Sequence, residues 1–219
     1  MKSIDLFCGC GGITEGLHKA GFKTSYALDF HPESCLTLKT RLLSRGYSSK
    51  EADYTVVNAD ITEAKTLQEF KKQIRKTNID LLVAGIPCQS FSSVGKAKDK
   101  HAMKFDKRNW LYLHFMKYLR FSMPKVFVVE NVVGILSSKR DGIDIFEDLM
   151  KKTQLAGYSI IEDKKRMVID ASNFGIPQER KRVFLIGIRK DLKIDPSLIY
   201  RELENISGLK RKKKKFNVK

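Results

Sequence analysis

No run of about 18 apolar residues occurs in the chain, so the sequence offers no membrane-spanning helix. The N-terminus, Met1-Lys2-Ser3-Ile4-Asp5, has no apolar signal core and enters a strand at once, which points to a cytosolic protein. Cysteine is scarce. Cys8, Cys10, Cys35 and Cys88 suggest no disulfide framework in a reducing compartment. A single residue separates Cys8 from Cys10 and no second pair follows, so zinc spacing is lacking and no metal is expected. Internal repeats are absent too. Acidic residues are the remaining shortage: 25 Asp and Glu face 42 Lys and Arg, for a net charge of +17. Ser207 to Lys219 holds seven of those basic residues and no acid, and without them the body still carries +10. A basic body predicts a polyanionic partner, most plausibly nucleic acid. The lysine run itself reads as a frayed, solvated tail. With 219 residues, 42% hydrophobic and 31% charged, the chain is long enough for one well-buried globular domain, taken as 1–206, followed by a basic tail, 207–219.

What is present is an alternation of strands and helices. Ser3 to Phe7 reads as a strand running into Cys8-Gly9-Cys10-Gly11-Gly12 and a helix over about 13–20. Strand, glycine-rich turn and helix open a nucleotide-binding unit, because the backbone must turn tightly where a Cβ would collide with a ligand. Thr24 to Leu28 is the second strand, and Asp29 at its end follows Gly9 by 20 residues, a spacing suited to a carboxylate on ribose hydroxyls. A helix with Pro32 in its first turn follows. Thr55 to Val57 is a third strand, with the acid Asp60 just beyond it. The helix over about 63–76 is amphipathic through Leu67, Phe70 and Ile74. Asp80 to Ala84 is the fourth strand. The helix over about 109–121 turns Leu111, Phe115, Tyr118 and Leu119 inward, and Trp110, the sole tryptophan, reads as helix core. Val126 to Val129 is the fifth strand. A helix near 143–155 and strands over 159–169 and 183–188 complete the pattern. The expected fold is α/β, doubly wound, with a mostly parallel sheet and helices on both faces.

Ligands of such sheets bind outside the carboxyl ends of the strands. Collected there are the glycine turn, Asp29, Asp60, Cys88 and Glu130. The fourth strand breaks at Gly85 and Pro87 and hands Cys88 to a polar loop, which is how a sheet displays a nucleophile. Alone, Cys88 reads more readily as a small buried hydrophobe. Glu130 reads as chemistry or as a cap on the following turn.

Four segments carry a resemblance: Asp5-Leu6-Phe7-Cys8-Gly9-Cys10-Gly11-Gly12, Gly85-Ile86-Pro87-Cys88-Gln89-Ser90-Phe91-Ser92, Glu130-Asn131-Val132 and Gln178-Glu179-Arg180-Lys181-Arg182. Their order and separations resemble those of the C5-cytosine DNA methyltransferases of restriction–modification systems, and Asn173-Phe174-Gly175-Ile176-Pro177 fits as well. The resemblance extends from Ile4 to about Arg189 and covers the catalytic half of that family. A target-recognition region and the last two motifs have no counterpart, which implies one subunit of a split enzyme or a truncated form.

The resemblance implies a Rossmann-like fold dependent on S-adenosylmethionine, duplex DNA as substrate, association with the nucleoid, and, if the enzyme is split, a second polypeptide carrying target recognition. Cys88 would add to carbon 6 of a flipped-out cytosine so that carbon 5 can accept a methyl group. Glu130, kept protonated by desolvation, would answer the charge at N3. Arg180 and Arg182 would hold the cytosine O2, Glu130 or a phosphate, with Arg182 favoured for the base. Gln89, Ser90, Phe91 and Ser92 would close over the base and meet the DNA. For the cofactor, Phe7, Gly9, Gly11 and Gly12 would cradle the methionine and ribose end. Asp29 would take the ribose hydroxyls, Phe30 would stack on adenine, Asp60 and Ile61 would hold the adenine edge, and Pro87 would line the sulfonium end. Three rival readings stand beside this one. They are an NAD-dependent oxidoreductase, a non-catalytic DNA- or partner-binding protein retaining the fold, and the tRNA branch of the same family.

Overall fold

The computed structural model describes residues 1–87 and 110–213. Cys88 and Gln89, Ser90, Phe91 and Ser92, named above as nucleophile and DNA contacts, lie outside the described residues.

The order is β1 (Lys2–Leu6), α1 (Gly12–Lys19), β2 (Lys23–Asp29), α2 (Pro32–Ser44), α3 (Ser49–Thr55), β3 (Val56–Asn58), α4 (Ala64–Ile74) and β4 (Leu81–Gly85). It continues with α5 (Leu111–Ser122), β5 (Val126–Val132), a short β6–β7 hairpin (Lys139–Arg140 and Ile143–Asp144) and α6 (Ile145–Leu155). Last come β8 (Tyr158–Ser159), β9 (Val168–Asp170), β10 (Lys181–Arg189) and α7 (Ser197–Lys213). The main sheet runs β3-β2-β1-β4-β5-β10-β8, with β9 also on β10. β1 to β5 are parallel, and β10 lies antiparallel to β5.

Successive strand residues point to opposite faces, and β2 shows both faces covered. Tyr26 and Leu28 enter one buried cluster with Phe70, Ile74, Phe115 and Tyr118 from α4 and α5. Ala27 enters another with Cys35, Leu38, Leu42 and Ala52 from α2 and α3. Phe70 is the hub of the first cluster, its ring 4.9 Å from Tyr26 and 4.5 Å from Tyr118. The inward faces expected for α4 and α5 are the observed ones, with Leu67 only partly covered. Among the described residues, no helix is long and apolar enough to cross a membrane.

Four expectations are corrected. First, α3 precedes β3 and was not foreseen. Its capping box, Ser48 with Glu51, satisfies two end groups reciprocally. Second, the hairpin β6–β7 occupies the start of the helix expected from residue 143, and Asp144 caps α6 by accepting the Glu147 N–H at 3.0 Å. Third, the strand expected over 159–169 survives only at its ends, as β8 and β9, because Glu162-Asp163-Lys164-Lys165-Arg166 cannot sit in a sheet interior. Fourth, α7 was not foreseen and runs as one helix through residue 207, where the tail was drawn.

The last two corrections are connected. Between its pairings with β9 and β8, the edge of β10 has no strand beside it. Tyr200 of α7 fills that gap: its hydroxyl accepts the Ile186 N–H at 3.0 Å and donates to the Phe184 carbonyl at 2.7 Å. One side chain thus satisfies two ladder groups and fixes α7 to the sheet. Arg166 adds an exposed pair with Glu204 at 2.7 Å.

Tyr200→Phe strands a buried N–H and a carbonyl. It is expected to lower unfolding free energy by about 1–3 kcal/mol in urea melts. A change below about 0.3 kcal/mol would show that the hydroxyl is dispensable.

Candidate active site

The site starts where β1 stops. Phe7 has left-handed backbone (φ 59°), as do Gly9 (φ 51°) and Gly11 (φ 90°). A non-glycine residue held there carries strain on the order of 1 kcal/mol or more, which the surrounding structure must enforce. At Gly11 a side chain is barred twice, by φ and by Leu38, whose Cδ1 would stand 2.5 Å from an added Cβ. The turn is fixed by Asp29: one carboxylate oxygen accepts the Gly9 N–H at 2.8 Å and the other the His31 N–H at 2.9 Å. From β3, the Ala59 N–H bonds the Asp29 carbonyl at 3.1 Å. The Asn58 side-chain amide reaches the Asp29 and Phe30 carbonyls at 3.2 and 2.9 Å. Three strand ends are therefore cross-tied.

They enclose a cavity of about 590 Å³. Phe7, Asp29, Phe30, Asp60, Ile61 and Pro87, all expected at a cofactor, line it. Gly9, Gly11 and Gly12 shape the turn beside it without lining it. The sequence reading missed His31, Trp110 and His114, which also line it. Trp110, expected as helix core, packs half-buried against the core at the start of α5 and also forms a wall of the cavity. Asp60 accepts the Thr62 N–H at 2.8 Å, which leaves its second oxygen uncommitted among the described residues. Phe30 is exposed and meets the His31 ring edge-on at 5.8 Å.

The second part of the site lies on β4, β5 and β10. Register sets Gly85 opposite Glu130, and Glu130 opposite Phe184. Arg182 Nε stands 3.0 Å from Glu130 Oε1, each side chain 23% exposed. Desolvation at the end of an apolar strand was expected for Glu130, with Arg180 or Arg182 beside it. The structure sets it half-buried against the Arg182 guanidinium, because the antiparallel β10 begins beside the end of β5. Arg180 is exposed, and its backbone bonds Asp170 and Ala171. The structure therefore brings Arg182, not Arg180, to Glu130. A Cβ added at Gly85 would lie 3.7 Å from Glu130 Oε2 and 3.9 Å from the Phe7 carbonyl, so the glycine turn and the carboxylate meet over that residue.

Asn131 is a residue to which the sequence reading gave no role. It is buried; its amide donates to the Ile86 carbonyl at 3.2 Å and its Oδ1 accepts the Val132 N–H at 2.8 Å. It pins the backbone that leads through Pro87 to Cys88. The other cysteines differ in exposure: Cys8 and Cys35 are buried and Cys10 is exposed. Burial, aided by Asp5 and Asp29, pushes the Cys8 thiol far up. Burial does the same, more mildly, at Cys35. No cluster of three metal-ligating side chains occurs among the described residues.

The mostly parallel sheet with helices on both faces is the Rossmann-like methyltransferase fold of the solved structures it resembles. The C-5 cytosine-specific DNA methylase family model matches residues 1–219. The type II methyltransferase M.AquIA of Picosynechococcus is 36% identical over 192 residues, covering 86% of this chain and 72% of that protein. M.DdeI of Desulfomicrobium norvegicum is 32% identical over 200 residues, covering 91% and 43%. A solved E. coli protein, encoded within a prophage and described as a DNA modification methyltransferase, superposes with a TM-score of 0.67 at 29% identity, covering 89% of this chain and 48% of that one. S. pombe Dnmt2, at 21% identity and TM-score 0.60, bears on the fold alone. The chain belongs to the C-5 cytosine-specific DNA methylase family. It spans about half the length of several curated relatives it matches.

The family takes its methyl group from S-adenosylmethionine, and the cavity's chemistry fits that molecule. Phe30, Ile61 and Trp110 offer apolar surface for a purine, and the carboxylates Asp29 and Asp60 offer acceptors for hydroxyl and amino groups.

Beneath the turn, Asp5 is fully buried. Oδ2 accepts the Thr14 hydroxyl at 2.6 Å, and Oδ1 has no partner among the described residues. Burial raises its pKa from 3.8 to about 7, against the pull of Thr14 and with a smaller push from Asp29. A raised acid pKa means that the fold favours the protonated form. That stabilisation is complete below 3.8 and fades as pH rises to about 7. Thermal melts should therefore show the stability of wild type relative to Asp5→Asn falling from pH 4 to 7. Parallel curves would mean that Asp5 does not titrate there.

Proposed function

We propose that this chain is the catalytic part of a DNA cytosine-5-methyltransferase that works through a covalent adduct between Cys88 and a flipped-out cytosine. The observation that carries the reading is the meeting of two half-sites over Gly85: the cofactor turn through Phe7 and the Glu130–Arg182 pair. A donor bound to the first and a base bound to the second are brought together at one sheet edge, with Pro87 leading directly to Cys88.

S-adenosylmethionine, when bound, supplies an electrophilic methyl group. The chain's residues do the rest. Asp29 accepts from the ribose hydroxyls while holding the Gly9 and His31 N–H groups, and Phe30 covers the purine. The Cys88 thiolate adds to carbon 6 of cytosine, pushing electron density to carbon 5 and N3. Glu130 answers the change at N3, and Arg182 spans Glu130 and the cytosine O2, its guanidinium fork suited to two acceptors. Carbon 5 takes the methyl group with release of S-adenosylhomocysteine; water then takes the carbon 5 proton, the C–H electron pair re-forms the 5,6 double bond, and the carbon–sulfur bond breaks to return the thiolate. Asn131 positions Cys88 through the Ile86 carbonyl. Gln89, Ser90, Phe91 and Ser92 contact the DNA around the flipped base, and Arg180 meets a phosphate.

The catalytic domain extends into α7, and the lysines at the end of the chain add sequence-independent phosphate attraction. Choice of the DNA sequence rests with residues beyond this chain's matched half of the family, in a second polypeptide or further along the same one. The reading as a fold-retaining, non-catalytic binder would leave the Glu130–Arg182 pair without a task.

The test is trapping on an oligonucleotide containing 5-fluorocytosine, with S-adenosylmethionine, with and without a polypeptide carrying a relative's C-terminal half. Mass spectrometry should find the methylated adduct on Cys88. Cys88→Ser should give no adduct and no product while still binding S-adenosylhomocysteine. An adduct on another residue, or native turnover by the variant, would overturn the mechanism. Glu130→Gln should slow turnover at least about 100-fold with little change in melting temperature. A large fall in melting temperature instead would assign Glu130 a structural role.

A further inference from the structure

α4 and α5 both begin at the cavity and end at the other edge of the sheet. Asp60, Ile61 and Thr62, just before α4, line the cavity, and so does Trp110, just before α5. The two helices then lead into β4 and β5, parallel strands that run back toward the cavity. From Trp110 to Arg120 the chain rises about 15 Å along α5, so the far ends stand well away from the cavity wall. Those ends touch. The Phe121 ring of α5 lies 6.1 Å from the Phe70 ring of α4, and Lys71 Nζ lies 5.3 Å from the centre of the Phe121 ring.

The packing turns cations outward. Phe70 and Ile74 are buried, and the Gln73 amide donates to the Ser25 and Tyr54 carbonyls at 3.3 and 2.6 Å, which fixes the rotation of α4. At about 100° per residue, Lys72 and Arg75 lie within about 40° of the direction opposite Phe70. Lys76 follows in the turn after α4. On α5, Phe115, Tyr118 and Leu119 are buried, which leaves Lys117 and Arg120 on the outer face. Lys71 and these five are all exposed. Glu69 is the one acid between Ala64 and Lys76, and Leu111 to Ser122 holds none. Elsewhere cations meet carboxylates, as Lys23 does with Glu51, Arg45 with Glu15 and Arg166 with Glu204. Among the described residues, none of these six forms an ion pair. A helix C-terminus favours a cation in its last turn, which accounts for Arg75 and Arg120 but not for six cations on one surface.

We propose that the far ends of α4 and α5 form a second contact surface for the phosphates of duplex DNA, separate from the edge that receives the target cytosine. Helices packed on one another lie about 8–10 Å apart, and a duplex carries one charge per about 1.7 Å of axis, so the surface faces several phosphates at once. A protein partner is the poorer fit. The centre of a protein interface is depleted in charge and needs apolar anchors, whereas the outer face of α4 offers Gln68, Lys72 and Arg75. Phosphate contact needs cations alone and reads no sequence.

The experiment measures binding of the full chain to a fluorescein-labelled duplex made only of A·T pairs, which holds no cytosine and so no target. Anisotropy is followed over a potassium chloride series. Lys72→Gln/Arg75→Gln/Lys76→Gln should bind about tenfold or more weakly, and the slope of log K against log salt should shrink by about 2 to 3. Lys50→Gln/Lys151→Gln/Lys193→Gln removes the same charge from scattered exposed positions and should change affinity less than threefold. Lys72→Arg/Lys76→Arg should bind like wild type. Brief acetylation of wild type, read by mass spectrometry, should find Lys72, Lys76 and Lys117 protected by the duplex and Lys50 and Lys151 not. Equal losses in the two triple variants would show that net charge alone acts, and the proposal fails. It fails also if those three lysines are unprotected in the complex, or if the first triple variant keeps duplex binding and loses only poly-glutamate, which would assign the surface to an acidic polypeptide. Should that variant unfold, the acetylation map of wild type decides. None of these readouts involves turnover, so a failure here leaves the methyl-transfer reading standing.

Discussion

The site depends on one carboxylate. Asp29 takes the Gly9 N–H on one oxygen and the His31 N–H on the other. Those two bonds hold the turn after β1 against the start of α2, across the end of β2. They explain how Phe7 can be kept in a left-handed conformation: the Asp29 bond fixes the backbone two residues on, and the Cys8 N–H bonds the Leu28 carbonyl at 3.1 Å. A carboxylate with an acceptor lone pair spent on each oxygen still has one on each to offer a ligand. The group expected to bind ribose is thus also the group that builds the surface on which ribose would lie. Structural and binding roles are not alternatives here, and removing the side chain removes both.

A second constraint aligns the chemistry with that surface. β10 enters antiparallel beside β5, so its first residues stand next to the last residues of β5. This is what sets Arg182 on Glu130. Glu130 and the Phe7 carbonyl both come up to Gly85, and Asn131 ties the Ile86 carbonyl down. In the proposed reaction, a guanidinium held against the carboxylate would supply positive charge as electron density moves onto a pyrimidine ring. Electrostatic preorganisation of this kind acts through groups already oriented before the reaction.

Much of this was legible in the sequence because it is local. Alternating strands and helices gave the fold class, and the glycine turn with Asp29 and Asp60 marked the cavity. What escaped is tertiary. Nothing in the pattern around His114 and Trp110 tells an inward helix face from a cavity wall, since that depends on where the turn after β3 lies. The hydroxyl of Tyr200 replaces a missing strand partner on β10, which no periodicity encodes, and α7 was not foreseen. Charge was misread once, when five consecutive charged residues from Glu162 to Arg166 were placed inside a strand. The capping box of Ser48 and Glu51 was readable and announces α3. Glu130 was expected to be desolvated because its strand is apolar, but a strand's neighbours decide burial at its end, and here the neighbour is Arg182.

The central claim is that the turn held by Asp29 and the Glu130–Arg182 pair serve one reaction. A crystal structure with S-adenosylhomocysteine measures this most directly. The account predicts the purine between Phe30, Trp110 and Ile61, the ribose on Asp29, and the sulfur beside Pro87 on the Glu130 side. The ligand elsewhere on the molecule, or in this cavity with its sulfur directed away from Glu130, would contradict it.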